Sequence, residues 1–327
     1  MTQPALIRLT HLLHSATSAT RARNHGKDLR QPVTPIKYTV WALSLLLPLA
    51  AWAKQEAPAN TMTNEQGCTR IRSIGPQDPY KDPPPLKQAC LGPYLLEIPQ
   101  NHFYNQIGTE HDGSYALALE YPLLEPFNPG ERVKWNFDVN ARTVTFDFRY
   151  IDRINVREAM RRRYTPMDYA KDEPQERLET RVQGNPVHGL TPYYLDMALV
   201  RTYFRDQGYR EEAPVMSPDW HHDWFLAKDE NGEVVTFIKC TPREITWSGV
   251  EYRDGKVVRK KGPGFAVCSH TLMIPELDTL IEMRYLREGM QHWKRMEERA
   301  RELIAQFKVN STGNAKATSA TGQSPEL

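Results

Sequence analysis

Two stretches of this chain alternate apolar and polar side chains so regularly that they set its fold class. From Ser114 to Leu124, Tyr115, Leu117, Leu119 and Tyr121 fall on one side and Ala116, Ala118 and Glu120 on the other. From Arg142 to Ile151, Val144, Phe146, Phe148 and Tyr150 oppose Thr145, Asp147 and Arg149. Successive side chains of a strand point to opposite faces, so this period marks half-buried antiparallel strands. Shorter runs extend the pattern. Tyr94 to Ile98 is a strand stopped by Pro99, and Val187 to Leu195 is another. His222 to Lys228 and Glu233 to Cys240 flank Asp229-Glu230-Asn231-Gly232, a hairpin signal because Asn and Gly both tolerate positive φ. Val250 to Val258 turns at Asp254-Gly255, and Phe265 to Ile274 pairs with Thr279 to Tyr285 around Pro275.

The C-terminal part changes period. Leu286, Met290, Trp293, Met296, Ala300, Ile304 and Phe307 recur at steps of three or four, one apolar stripe on a helix from about Leu286 to Phe307. A shorter helix is expected from Asn155, a capping residue, to about Arg163. The fold class is therefore α+β, with two subdomains, each a mainly antiparallel sheet with a packed helix. They span residues 90–165 and 187–308, joined by a charged, Pro-containing linker or surface loop at 166–186. Residues 54–89, polar and ending in Asp82-Pro83-Pro84-Pro85, read as a flexible leader, partly tied down if Cys68 is bridged. The segment from 196 to Asp219 reads as a polar, Pro-containing stretch, and 309–327 as a disordered tail.

The N-terminus carries an address. Tyr38 to Ala53 has no charged side chain and follows a run holding Arg8, Arg21, Arg23, Lys27, Arg30 and Lys37 against Asp28 alone. Ala51 and Ala53 before Lys54 meet the small-x-small rule of a secretory cleavage site. The apolar run, about 16 residues, falls short of the roughly 20 that a helix needs to cross a membrane. Residues 1–53 are thus expected to be a signal peptide, with a retained inner-membrane anchor as the alternative, and the mature chain is expected in the periplasm. Cys68, Cys90, Cys240 and Cys268 are an even set in an exported chain, which reads as two disulfides. The local pairs Cys68–Cys90 and Cys240–Cys268 are preferred among the three connectivities.

No catalytic constellation emerges. There is no G-x-S-x-G elbow, H-E-x-x-H, Walker loop or G-x-G-x-x-G, and Gly262-Pro263-Gly264 is a turn. His221-His222-Asp223-Trp224 could suggest a metal or acid–base site, but neighbouring strand positions face opposite ways, so a strand start with a buried Trp is expected. His270 near Cys268 and Ser269 could suggest a nucleophile pair, which a bridged Cys268 removes. Arg161-Arg162-Arg163 is expected as a solvated helix end. Cofactor and metal are both expected to be absent. A formal net charge of +2 gives no reason to expect nucleic acid.

Cys90-Leu91-Gly92-Pro93-Tyr94-Leu95-Leu96-Glu97-Ile98-Pro99 resembles the opening of exported proteins encoded beside type VI secretion lipase effectors. Gly189-Leu190-Thr191-Pro192-Tyr193-Tyr194, Thr236-Phe237-Ile238-Lys239-Cys240-Thr241, Cys268-Ser269-His270, and Tyr285, Arg287, Trp293 and Glu297 are similar to that group as well. The resemblance implies a periplasmic immunity protein that binds and neutralises a lipase-type toxin, not an enzyme. A non-catalytic envelope-assembly protein, and a periplasmic hydrolase with a site around His221, His222 and Asp223, are the competing readings.

Overall fold

The computed structural model describes residues 60–74, 76–109, 114–134, 136–245, 249–254, 256–260 and 266–309. The expected export segment at 38–53, the Gly262-Pro263-Gly264 turn and the tail from 310 lie outside these residues.

Residues 60–91 are not a flexible leader. They carry β1 (Thr61–Thr63), β2 (Thr69–Ile71) and β3 (Leu86–Leu91), with β1 paired to β2 and β3 paired to β4 (Tyr94–Pro99). Two ties explain the order. A disulfide joins Cys68 to Cys90. The Asn64 side chain accepts from the Cys68 amide at 2.8 Å and donates to the Gly92 carbonyl at 2.8 Å, linking one hairpin to the other.

The remaining strands are β5 (Ser114–Glu120), β6 (Glu125–Pro126), β7 (Thr143–Tyr150), β8 (Val182–Gln183), β9 (Thr191–Tyr194), β10 (Asp223–Lys228), β11 (Val234–Cys240), β12 (Val250–Arg253), β13 (Lys256–Arg259), β14 (Val267–Ile274) and β15 (Thr279–Leu286). Nine of them form one antiparallel sheet in the order β6-β5-β7-β15-β14-β11-β10-β9-β8, while β12 and β13 make a separate hairpin. The architecture is α+β with antiparallel sheets, but the two halves of the chain are not subdomains with a sheet each: they share one sheet through the β7–β15 ladder, from Thr279↔Tyr150 to Arg284↔Thr145. The hairpin at Asp229 forms with only Gly232 at positive φ. The Asp229 carboxylate accepts from the amides of Asn231 and Glu233, each at 2.9 Å, which holds the loop.

Among the described residues the four α-helices are α1 (Phe137–Arg142), α2 (Val156–Arg161), α3 (Met197–Asp206) and α4 (Trp293–Phe307). Asn155 caps α2 through the Arg157 amide. α3 lies where a polar stretch was expected. Asp196 caps it by accepting from the amides of Ala198 and Leu199, and Val200 and Phe204 bury one narrow stripe against Met216. In the region 166–186, read as a linker or surface loop, Gln175 and Arg181 are buried and β8 pairs with β9.

Period two sorts the sheet into two unlike faces. Leu117, Phe146, Phe148, Ile281, Met283 and Leu272 join the β3–β4 hairpin and α4 in the main core, to which Met296, Ala300 and Leu303 of α4 contribute fully buried side chains. On the other face Trp224, Leu226, Phe237, Met273 and Leu280 pack against Val156, Ala159 and Met160 of α2. Because α2 is only six residues long, it covers part of that face and leaves the rest open.

Candidate binding surface

The open part of the sheet can be read row by row. Across one row stand Ala118, Thr145, Arg284, Ser269, Lys239, Trp224 and Tyr193, contributed by seven successive strand positions. The next row holds Ala116, Asp147, Glu282, Thr271, Phe237 and Leu226. One side of this face is therefore charged and the other aromatic and aliphatic. A cleft of about 680 Å³ lies over the charged side, lined by Thr145, Asp147, Lys239, Ser269, Glu282 and Arg284 among others. A second cleft of about 420 Å³, lined by Gln175, Arg181, Tyr209 and Trp220, shares His222 and Lys239 with the first.

Glu282 organises the charged side. Its carboxylate accepts from Arg284 at 3.1 Å and from the Ser269 hydroxyl at 3.2 Å, and lies 3.7 Å from Arg163 and 4.0 Å from Arg149. Burial alone would push its pKa up. The Arg284 hydrogen bond and the charges of Arg163, Arg284 and Arg149 outweigh that and hold it below the ordinary carboxylate value. Arg149 also binds Asp147, the cleft's other acid.

Arg181 forms part of the second cleft's wall. Its guanidinium stacks 3.7 Å over the Trp224 ring and donates to the carbonyls of His222, Gln175 and Tyr193 at 2.8, 2.7 and 3.3 Å. Burial lowers its pKa to about 9, against the opposing pull of Glu176 and Asp223. Lys239 has its ammonium 4.8 Å over the Trp224 ring and 5.6 Å over Phe237. Burial lowers its pKa, Glu176 opposes, and the charges of Arg181 and Arg163 lower it further.

The residues singled out in the sequence are dispersed. His221 Nε2 bonds the Val215 carbonyl at 2.9 Å, His222 lines the two clefts, and Asp223 forms a buried ion pair with Arg287 at 3.0 Å. Burial raises the Asp223 pKa despite Arg287, and lowers those of His221 and His222. His221 and His222 both line the second cleft while Asp223 is taken up by Arg287, and among the described residues no group of His, Cys, Asp and Glu is placed to hold a metal ion. Trp224 is buried at the start of β10.

Cys268 is bonded to Cys240, its cross-strand partner. His270 and Ser269 lie on opposite faces of β14. His270 is fully buried, donating from Nε2 to Glu297 at 2.9 Å, while the Tyr285 hydroxyl meets its Nδ1 at 3.2 Å. A carboxylate only accepts, so Nε2 is the donor of the pair with Glu297. The Thr236 hydroxyl donates to the same Glu297 oxygen at 2.7 Å. This network joins α4 to the sheet through donors and acceptors that are all engaged. Arg161 and Arg162 fold back onto Glu158, and Arg163 turns toward Glu282 in the cleft.

Sequence reasoning missed Lys239, Glu282, Arg284, Arg181 and Trp220. The available signal was alternation: Lys239 is two residues from Phe237 on β11, so it shares that strand's α2-facing side. Which cations and rings meet there depends on registers between distant segments.

No family model and no curated protein matches the chain. Among solved structures, it is similar to Smlt3025, an immunity protein of the Stenotrophomonas maltophilia type IV secretion system. The two are 26% identical with a TM-score of 0.61, over 76% of this chain and 99% of that one.

Proposed function

We propose that this chain is an immunity protein that captures a toxin delivered by a bacterial secretion system and neutralises it in a stoichiometric complex, without turnover. The observation that carries this reading is the likeness to Smlt3025 across essentially that protein's whole length, at an identity and TM-score that extend beyond shared topology. The two disulfides agree with a working place in an oxidising compartment, and with export to the periplasm directed by residues 1–53.

The class of toxin is a finer step. Smlt3025 belongs to a type IV system, whereas the motifs around Cys90, Gly189 and Thr236 resemble proteins that accompany type VI lipase effectors. What the two have in common is protection from a delivered toxin. We assign a lipase-type effector as the partner on the strength of those motifs. Such an enzyme attacks membrane lipid from the periplasmic side, which is where an exported immunity protein meets it. Nanomolar capture corresponds to about −12 kcal/mol of binding free energy.

Protection is the direct test. Cells directing to their periplasm the lipase-type effector that the resemblance places in the adjacent gene, the neighbouring effector, should survive when they produce this chain and lyse when its residues 1–53 are deleted. Equal survival with and without the protein would end the immunity reading. Survival against a peptidoglycan hydrolase but not a lipase would overturn the toxin class alone.

A further inference from the structure

We infer that the corner where the two clefts meet, formed by Lys239, His222 and Trp220, is the toxin-binding site, and that it receives a protruding toxin loop carrying a carboxylate beside an apolar side chain. This rests on reading the chain as a toxin binder and adds the site and the chemistry of its occupant.

The charge at that corner is unbalanced. Arg149, Arg163 and Arg284 share Glu282, and Arg287 has Asp223. Lys239 is half-buried and, among the described residues, has no carboxylate within ion-pair distance. Glu176 lines the same cleft and its charge reaches Lys239 without forming an ion pair with it. Arg181 adds a second cation whose side-chain hydrogen bonds go to carbonyls, with Glu176 and Asp223 reaching it through space without an ion pair, and its buried Nε has no acceptor. A cation withdrawn from water without a counter-ion costs stability that ring faces offset only in part. An incoming carboxylate supplies the missing charge.

Shape and rim agree with this occupant. The site is concave, so it accepts an element that projects. Trp220 and Tyr209 stand beside it 67% and 51% exposed, the residue types that most often anchor protein interfaces. Beneath Lys239 the floor is Trp224 and Phe237, which favours an apolar neighbour next to the acid.

The experiment titrates the catalytically inactivated neighbouring effector into the full exported chain, with both disulfides formed, by calorimetry. Wild type should bind. Lys239→Glu should weaken binding by about 100-fold or more, as for disruption of a desolvated charge pair. Trp220→Ala should cost about 30-fold. Arg301→Glu, on the exposed side of α4 and paired with Glu276, should bind as wild type. Reversing one acidic residue of the effector to lysine should restore binding to Lys239→Glu. If Lys239→Glu proves unfolded on thermal melting, Trp220→Ala decides, because that side chain is mostly in solvent. Wild-type affinity in both variants would overturn the site while leaving the immunity reading intact. Failure of wild type to bind would overturn that reading as well.

Discussion

Glu282, with its side chain 12% exposed, sits among Arg149, Arg163 and Arg284, which come from β7, the turn after α2, and β15. Its pKa in the fold lies below that of the unfolded chain, so the unfolded state binds more protons between the two values. Its stabilising contribution is complete above the ordinary carboxylate value and drains away as pH falls through the folded one. Glu282→Gln should therefore unfold at lower urea than wild type at pH 7, with the gap narrowing in acid. A gap that stayed constant from neutral pH to pH 3 would refute this. Alternation in Leu280-Ile281-Glu282-Met283-Arg284 already sets Glu282 and Arg284 on one side of a strand. It does not say that Arg163, in the turn after a helix far away in sequence, will face them. Pairings of that kind follow from tertiary register, and this is why the charged cleft was illegible while its strands were clear.

At the scale of elements, legibility tracked how much apolar surface each segment buries. α4 was readable because its stripe runs the length of the helix. The structure adds Leu303 and the aliphatic length of Arg299, whose Nε donates to the Leu124 carbonyl at 3.0 Å. Residues Arg287–His292 wind as a 3₁₀ segment before the α-helix proper, with no side-chain cap where Leu286 precedes them. α3 was missed because two residues, Val200 and Phe204, carry its burial. The hairpins of 60–91 were missed because short strands rich in polar residues owe their order to the Cys68–Cys90 bridge and to Asn64. Met296 is fully buried between α4 and the sheet, so Met296→Ala should cost about 2–5 kcal/mol in urea unfolding. A loss under 1 kcal/mol would mean that α4 is peripheral to the core.

For the molecule as a whole, the two disulfides act in different places. Cys240–Cys268 staples β11 to β14 in the middle of the nine-stranded sheet, beside Lys239 and Ser269 of the cleft. Cys68–Cys90 fastens the N-terminal hairpin to the β3–β4 hairpin. Chain entropy assigns each about 3–4 kcal/mol for loops of this length. Replacing Cys240 and Cys268 by Ala should lower global stability by about that amount and loosen exchange protection across the cleft floor. Replacing Cys68 and Cys90 should expose residues 60–74 to proteolysis while the main sheet keeps its protection. Uniform loss of protection in both variants would contradict this division.

The sheet ends on β6 and β8, two residues each, the first containing Pro126. Short edge strands blunt a sheet margin against pairing with another chain, and on the outer side of β5 the Tyr104 amide also takes up the Ala116 carbonyl. Main-chain zipping accepts nearly any extended segment. A defender that relied on it would clasp bystanders as readily as its attacker. On the reading proposed above, discrimination falls to side chains carried by the sheet, so exchanging a few residues around one hollow would change the partner while the scaffold beneath stays unchanged.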